Sequence, residues 1–334
     1  MSKKYRNLIG RIVSDENMRL ALHRTANSKR LTTGYLEFKE YAEVNLKELA
    51  DDIAAGTYRL GPYREFLIYE PKPRLISALN FRDRIAQHAL VSIIGPIFEA
   101  TLLPRTFACR VGMGTHAGVK AVQAEMRRRP DLQYYLKTDF SKYFHSIDRA
   151  VLHGLIDHKV TCRATLAMID QITPRTGVGV PIGNLTSQLW ANVYGGLLDR
   201  HLQCDLGEKF WFRYMDDVVV LGSDMAHLRK LKEEIERFSR DAMRLRLSKW
   251  NIGRVASGVN FLGYRIWPTH KLLRRQSVTR ARRKIARFRA ARDYESLQRF
   301  LASWLGHAGW ADAHHLLTSL GLENTHDHQY PFRP

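Results

Sequence analysis

The chain has 334 residues, 45% of them hydrophobic and 10% aromatic, enough apolar material to form a sizeable core and to exclude wholesale disorder. It carries 53 Lys and Arg against 33 Asp and Glu, a formal net charge of +20 that asks for a polyanionic partner, nucleic acid first and an anionic membrane second. No run of about 18 apolar residues is present, which argues against a spanning helix, and Met1-Ser2-Lys3-Lys4-Tyr5-Arg6 lacks an apolar signal core.

Cys109, Cys162 and Cys204 lie far apart with no CxxC pair. That argues against a disulfide framework or a zinc site and fits a reducing cytoplasm. Residues 5–55 read mostly as helix, with Leu8, Ile9, Ile12 and Val13, then Leu46, Leu49 and Ile53, at helical spacing. Gly56 and Gly61-Pro62 break that pattern. Residues 64–79 read as extended and 82–100 as helix. Residues 134–140, Tyr-Tyr-Leu-Lys-Thr-Asp-Phe, read as a buried strand ending at an acid. A long helix is predicted over 186–204. Residues 210–222 read as a β-hairpin with Asp216 and Asp217 at its tip, followed by helix over 225–243 and a short strand or hairpin over 259–267. Residues 271–292 contain ten Lys and Arg and no acid, and 295–320 read as an amphipathic helix. The layout is α+β, with sheet in the middle and helices at both ends.

Tyr214-Met215-Asp216-Asp217 is the most informative segment. Two adjacent carboxylates inside a β-forming apolar run are costly unless they bind something positive. Asp139 closes the earlier strand in the same way, and two neighbouring strands would bring it beside the pair. Such a cluster suits Mg²⁺, which prefers oxygen ligands and retains waters and phosphate oxygens. Two such ions, about 3.5–4 Å apart, can activate a hydroxyl and stabilise a leaving pyrophosphate. An isolated Asp-Asp is otherwise an ordinary turn capping a hairpin.

Tyr-Met-Asp-Asp between apolar strands resembles the third palm motif of reverse transcriptases. Lys137-Thr-Asp139-Phe140-Ser-Lys-Tyr-Phe144 resembles the first palm motif, and Gly179-Val-Pro181-Ile182-Gly183 with Ser187-Gln188 the second. Phe261-Leu262-Gly263-Tyr264 resembles the primer grip. The four stand in family order over roughly residues 55–320, which is more specific than any one of them. The resemblance implies a right-hand polymerase fold. Residues 1–60 become an N-terminal helical extension, 61–130 fingers, 131–265 palm, and 266–334 a helical thumb and C-terminal tail. It implies Asp139, Asp216 and Asp217 as catalytic, with Phe140 joining them around two Mg²⁺ ions that Mn²⁺ could replace.

The resemblance also implies a nucleotide pocket. Phe144, five residues after Asp139, takes the place of the steric gate under the incoming sugar; a core aromatic is the alternative. Lys72 and Arg74 resemble the fingers cations on the triphosphate of the dNTP, and Arg110 lies in the next fingers motif, although charge runs are commonly just solvated. Lys249 lies where the family keeps a lysine that protonates pyrophosphate, unless it is a surface lysine. Ile182 departs from the Gln common after the motif's proline, and Ser187-Gln188 from Ser-Pro. An aliphatic residue with Ser-Gln is the pattern of diversity-generating retroelement reverse transcriptases. Residues 34–41, 61–67 and 261–274 extend that resemblance along the chain.

Such enzymes copy a template-repeat RNA into cDNA, misincorporate opposite adenine and work with a small basic oligomeric accessory protein, in a bacterial cell hosting a phage or prophage. Ile182 would remove a bracing side-chain amide and narrow the discrimination between right and wrong bases; it could also be a core aliphatic. Arg274, Arg275, Arg280, Arg282, Arg283 and Lys284, with Ile285 and Phe288 as a packing stripe, suit the backbone of an RNA–DNA duplex. A membrane-surface helix is the rival, disfavoured by the narrow apolar face. The other functions weighed are a maturase-like RNA-binding protein and a retron or group II intron-like reverse transcriptase.

Overall fold

The computed structural model describes residues 3–69 and 73–322. Lys72 lies outside the described residues. The chain opens with α1 (Ile9–Ile12), α2 (Asp15–Ala26), α3 (Thr33–Glu40) and α4 (Ala42–Ala55). Ser14 caps α2 by accepting from the Asn17 amide, and Gly56 ends α4 at φ +74°, the left-handed conformation in which glycine is least strained. These helices are not a detached extension. Leu8, Ile12, Met18, Leu46 and Leu49 share one core with Ile85, Leu90 and Trp190, and the Tyr5 amide donates to the Lys159 carbonyl at 2.8 Å.

An antiparallel hairpin, β1 (Arg64–Ile68) and β2 (Arg74–Ala78), precedes the long helix α5 (Phe81–Glu99) and then α6 (Thr115–Arg128). The central strand β3 (Tyr134–Phe140) leads into α7 (Tyr143–Ser146), α8 (Arg149–Lys159), α9 (Arg163–Ile172) and α10 (Leu185–Arg200), the last continued by a π-helical turn at His201–Asp205. Then come β4 (Trp211–Tyr214), β5 (Asp217–Gly222), α11 (Met225–Asp241) and β6 (Leu247–Arg254). The four strands form one antiparallel sheet in the order β4-β5-β3-β6. A separate sheet, β7 (Val259–Phe261), β8 (Tyr264–Ile266) and β9 (Lys271–Leu273), precedes α12 (Arg275–Ala290), α13 (Tyr294–Ala308) and α14 (His314–Ser319).

The central sheet is two-faced because side chains alternate along a strand. Leu136, Phe140, Val218 and Val220 enter the core shared with the N-terminal helices and α8–α11. Tyr135, Val219 and Leu221 enter a second core with α6, the three-stranded sheet and α12–α14. Two expectations change here. The boundary drawn at 265/266 cuts through β8, because one small sheet joins 259–273 into a single unit. The amphipathic stretch 295–320 is two helices, broken between Ala308 and His314. None of the described helices is long and apolar enough to cross a membrane.

Candidate active site

The β4–β5 hairpin pairs Tyr214 with Asp217, leaving Met215 and Asp216 as a two-residue loop. Met215 takes φ +54°, an uncommon conformation for a side chain of this size. Something must hold it there, and the holder is Arg213. Its side chain is fully buried, with Nε and Nη2 each 2.7 Å from an oxygen of Asp199 on α10. Nη1 donates to the Met215 carbonyl at 3.1 Å and Nη2 to the Asn192 carbonyl at 3.2 Å. Burial works against the arginine's charge, but Asp199 outweighs it and raises the guanidinium's proton affinity. Thr106 Oγ1 completes the cluster by donating to Asp199 at 2.7 Å. Gly195 is obligatory beside it: a Cβ there would lie 2.6 Å from the Arg213 guanidinium carbon. Sequence reasoning gave neither Arg213 nor Asp199 a role. The available signal was a lone charge inside Phe-Trp-Phe-Arg-Tyr, which has to find a buried partner.

On the other side of β5, the register Thr138–Val218 sets the end of β3 beside the hairpin tip. Asp139 and Asp216 interact directly. Burial first, and then the neighbouring Asp139 carboxylate, push the Asp216 carboxyl up to about 6. Burial also raises Asp217, while Lys137 and Arg274 pull it back. Lys137 Nζ stands 2.8 Å from Asp217 Oδ2, and Asp217 Oδ1 is buried without a hydrogen-bond partner. Ser248 Oγ donates to Asp139 Oδ2 at 3.2 Å.

The donor set is all oxygen, carries like charges and includes an orphaned buried carboxylate oxygen, which fits a hard divalent cation. Among the described residues no three Asp, Glu, His or Cys side chains close into a ready-made cage. A phosphate-bound ion requires only part of its shell from protein. Phe140 contributes no side-chain ligand: its ring is buried and stacked 5.8 Å from Tyr143, so only its main chain could reach an ion.

A cleft of about 450 Å³ opens on this face, lined by Asp139, Asp217, Lys137, Lys249, Asn260 and Arg274 among others. Lys249 directly opposes Asp139 across β3–β6, at a register irregularity between Asp139 and Phe140. A larger cavity, about 830 Å³, lies at the other end of β3 around Gln133 and Tyr134, away from the acids.

Phe144 is half-buried on α7, edge-on to Tyr143. Its carbonyl accepts from the Val180 amide at 2.8 Å, and the Ile147 carbonyl accepts from Gly179 at 2.8 Å. The 177–183 turn is thus stitched to the segment carrying Asp139. Its other end meets β2, where the Ser77 amide donates to the Ile182 carbonyl at 2.9 Å. Arg74 is exposed at the start of β2.

Arg110, expected near template and nucleotide, is tied to its neighbours. Its guanidinium bonds Glu99 at 2.5 Å and the Leu103 and Thr106 carbonyls at 2.9 and 2.8 Å, so this charge braces the chain. Gln188, exposed on α10, shares with Arg110 a different cavity of about 330 Å³ and accepts from the Cys109 thiol at 3.6 Å. Neither of the two lines the aspartate cleft.

Phe261 and Tyr264 are buried on either side of Leu262 and Gly263, whose φ values of +49° and +92° make a tight hairpin. Tyr264 Oη donates to the His307 carbonyl at 2.9 Å, linking the hairpin to α13. Arg274, ahead of α12, reaches the cleft, and its Nε is buried without a partner. Arg275, Arg280, Arg282 and Arg283 are exposed, while Lys284 lies over the Phe300 ring at 5.4 Å. Ala281 and Ile285 form the buried stripe of that helix.

An antiparallel sheet that sets acids at a hairpin tip and at the adjoining strand end, above a cleft rimmed with cations, defines a template-directed nucleotide polymerase of the right-hand type. The chain belongs to the family described as reverse transcriptase (RNA-dependent DNA polymerase), whose family model matches residues 70–266. It is thus an RNA-directed DNA polymerase with the α+β right-hand fold. It is similar to Protein YkfC of Escherichia coli (strain K12), 23% identical over 284 residues that cover 70% of this chain and 72% of that protein. Among solved structures, apo telomerase from Candida tropicalis aligns with a TM-score of 0.48 and 10% identity, over 63% of this chain and 48% of that one. Telomerase from Candida albicans with a fragment of telomeric RNA gives 0.48 and 10%, over 70% and 51%. The chain spans about half the length of these telomerase chains.

Proposed function

We propose that this reverse transcriptase copies a template-repeat RNA into cDNA with misincorporation opposite adenine, serving mutagenic retrohoming in a diversity-generating retroelement. The reading is carried by Ile182. Its turn is fixed through backbone bonds to Ile147, Phe144 and Ser77, yet its side chain offers an incoming nucleotide only van der Waals contact. A site built to hydrogen-bond its substrate rejects a wrong one far more strongly than a site that offers shape alone. Ser187-Gln188 and the resemblance of residues 34–41, 61–67 and 261–274 to diversity-generating retroelement reverse transcriptases support the same reading.

In this reading residues 61–130 are fingers, 131 to about 258 palm, and 259 onward primer grip and thumb, with the N-terminal helices packed on the palm. Asp139, Asp216 and Asp217, with the Phe140 main chain, hold two Mg²⁺ ions, which Mn²⁺ replaces. When bound, these ions lower the cost of ionising the primer hydroxyl and of releasing pyrophosphate. The chain's own groups do the rest. Phe144 closes the space under the sugar 2′ position and favours dNTPs. Arg74 and Lys72 hold the triphosphate, and Lys249, opposite Asp139, delivers a proton to the leaving pyrophosphate. Arg110 and Gln188 act at one remove, Arg110 by bracing the end of α5 and the 103–106 segment and Gln188 by holding Cys109. The 261–264 hairpin sets the primer end. Arg274, Arg275, Arg280, Arg282, Arg283 and Lys284 track the duplex backbone. A small basic oligomeric accessory protein shares the RNA, in the cytoplasm of a bacterium carrying the phage or prophage.

The test is primer extension with purified protein, cognate RNA and accessory protein, followed by cDNA sequencing. Asp217→Asn abolishes synthesis; persisting synthesis removes these acids from the mechanism. Ile182→Gln lowers misincorporation opposite adenine, and an unchanged error spectrum discards the role given to Ile182.

A further inference from the structure

Lys137 stands two residues before Asp139 on β3, so both side chains face the cleft. Its ammonium adds a polar link between two sheets that otherwise meet through the apolar second core. Nζ donates to Asp217 Oδ2 at 2.8 Å and to the main-chain carbonyl of Asn260, on β7, at 2.9 Å. The Phe261 ring lies 5.9 Å from it. Among the described residues this is the one hydrogen bond joining a strand of the central sheet to a strand of the three-stranded sheet. Lys137 and Asp217 are both about one-fifth exposed, so the contact is shielded and not a solvated surface pair.

We propose that Lys137 is a positioning residue that ties the Asp217 carboxylate to the primer-grip hairpin and occupies that carboxylate as a resident cation until a divalent ion arrives. The inference rests on the polymerase reading above, in which Asp217 is a metal position and 261–264 the primer grip. Its physical content is a conflict of roles. The ammonium competes with an incoming cation for the same oxygen, and it also fixes where that oxygen sits relative to the primer end. A lysine that served stability alone would be neutral or helpful to metal binding and to turnover together.

The test is Lys137→Met in the full chain. Mn²⁺ binding is read by electron paramagnetic resonance of free Mn²⁺, alongside single-nucleotide extension and thermal melting. Loss of the competing charge tightens Mn²⁺ binding by about fivefold or more. Loss of the tie lowers kcat by about tenfold, because misplacing a reacting group is costly even when it still binds. Lys137→Arg, which keeps charge and reach, restores both values toward wild type and serves as the folded control should the Met variant melt early. Unchanged or weaker Mn²⁺ binding in a folded Lys137→Met protein overturns the proposal, as does turnover equal to wild type. Asp217→Asn separates this from failure of the underlying reading. If Asp217→Asn still synthesises DNA and binds Mn²⁺ as wild type does, the metal role of Asp217 falls and the inference with it. If Asp217→Asn loses both while Lys137→Met shows no opposed change, only the Lys137 inference falls.

Discussion

Removing one charge from the aspartate cluster should stabilise the metal-free protein while destroying its activity. Asp216 is half-buried and faces Asp139, and the two effects together push its carboxyl up to about 6 from the ordinary 3.8. Each tenfold change in proton affinity is worth about 1.4 kcal/mol, so ionised Asp216 costs the folded state about 3 kcal/mol as an upper figure. The sign follows from the direction of the shift. A carboxyl raised on folding contributes its stability in full below its unfolded value, and that contribution is lost as pH rises through about 6. At about pH 7.5 the metal-free protein therefore bears the whole cost, and at about pH 4 almost none of it. Asp216→Asn keeps the shape and removes the charge. In EDTA near pH 7.5 the variant should melt higher than wild type by several degrees, since about 1 kcal/mol shifts a chain this large by roughly 2 °C. The gap should shrink as pH falls toward 4, and Mg²⁺ should raise wild type more than the variant. Differential scanning fluorimetry over pH, with and without Mg²⁺, reads all three. A variant that melts at or below wild type in EDTA at pH 7.5 refutes the picture of repelling carboxylates awaiting a cation.

Arg213→Met strands the fully buried Asp199 carboxylate and should cost about 3–5 kcal/mol in urea melts. The double variant Arg213→Met/Asp199→Leu should regain much of that stability but not the activity, because the Met215 carbonyl still lacks its donor; full activity there would end the idea that Arg213 holds the catalytic turn. On the gate role proposed for Phe144, Phe144→Val should raise incorporation of ribonucleotides by about tenfold or more relative to deoxynucleotides, scored by alkali-labile product. No change in that ratio would make Phe144 a core residue only.

The parts of the fold that could be read from the sequence are those where burial and period agree. Tyr134–Phe140 and Trp211–Gly222 are apolar, rich in β-branched and aromatic residues, and interrupted by acids only where the chain turns or ends, so strand, hairpin and candidate site all came from one pattern. The strand β6 escaped because Leu-Ser-Lys-Trp-Asn-Ile-Gly-Arg is an edge strand in which Ser248, Lys249, Trp250 and Asn251 are all exposed, and it shows no alternation. The basic run 271–292 looked uniform, yet Lys271–Leu273 is a strand, because Leu273 fills the second core beside Tyr264. The Arg110–Glu99 pair was not legible, because spacing along a motif carries no information on whether Glu99 stands within reach. The Arg213–Asp199 pair was invisible for the same reason. Its partners meet only when α10 passes under the hairpin, and Gly195 makes the room.

The register of β3 is what converts this fold into a site. With a period of two, Leu136 and Phe140 go to the core while Tyr135, Lys137 and Asp139 go to the other face, and a slip of one residue would exchange the sets. The sheet resists that slip on both sides: β5 matches Lys137 to Val219, and β6 matches Asp139 to Lys249. The register shifts only after Asp139: Ser248 is the extra residue on β6, so Phe140 stands opposite Leu247 and packs in the core while Asp139 keeps its place opposite Lys249. The charges that a polymerase requires in the open and the apolar mass that a folded sheet requires inside are thus drawn from alternate residues of one strand. Any change that relaxes the register of β3 should therefore be read first as lost activity and only later as lost stability, since the cleft depends on single side chains and the core on many.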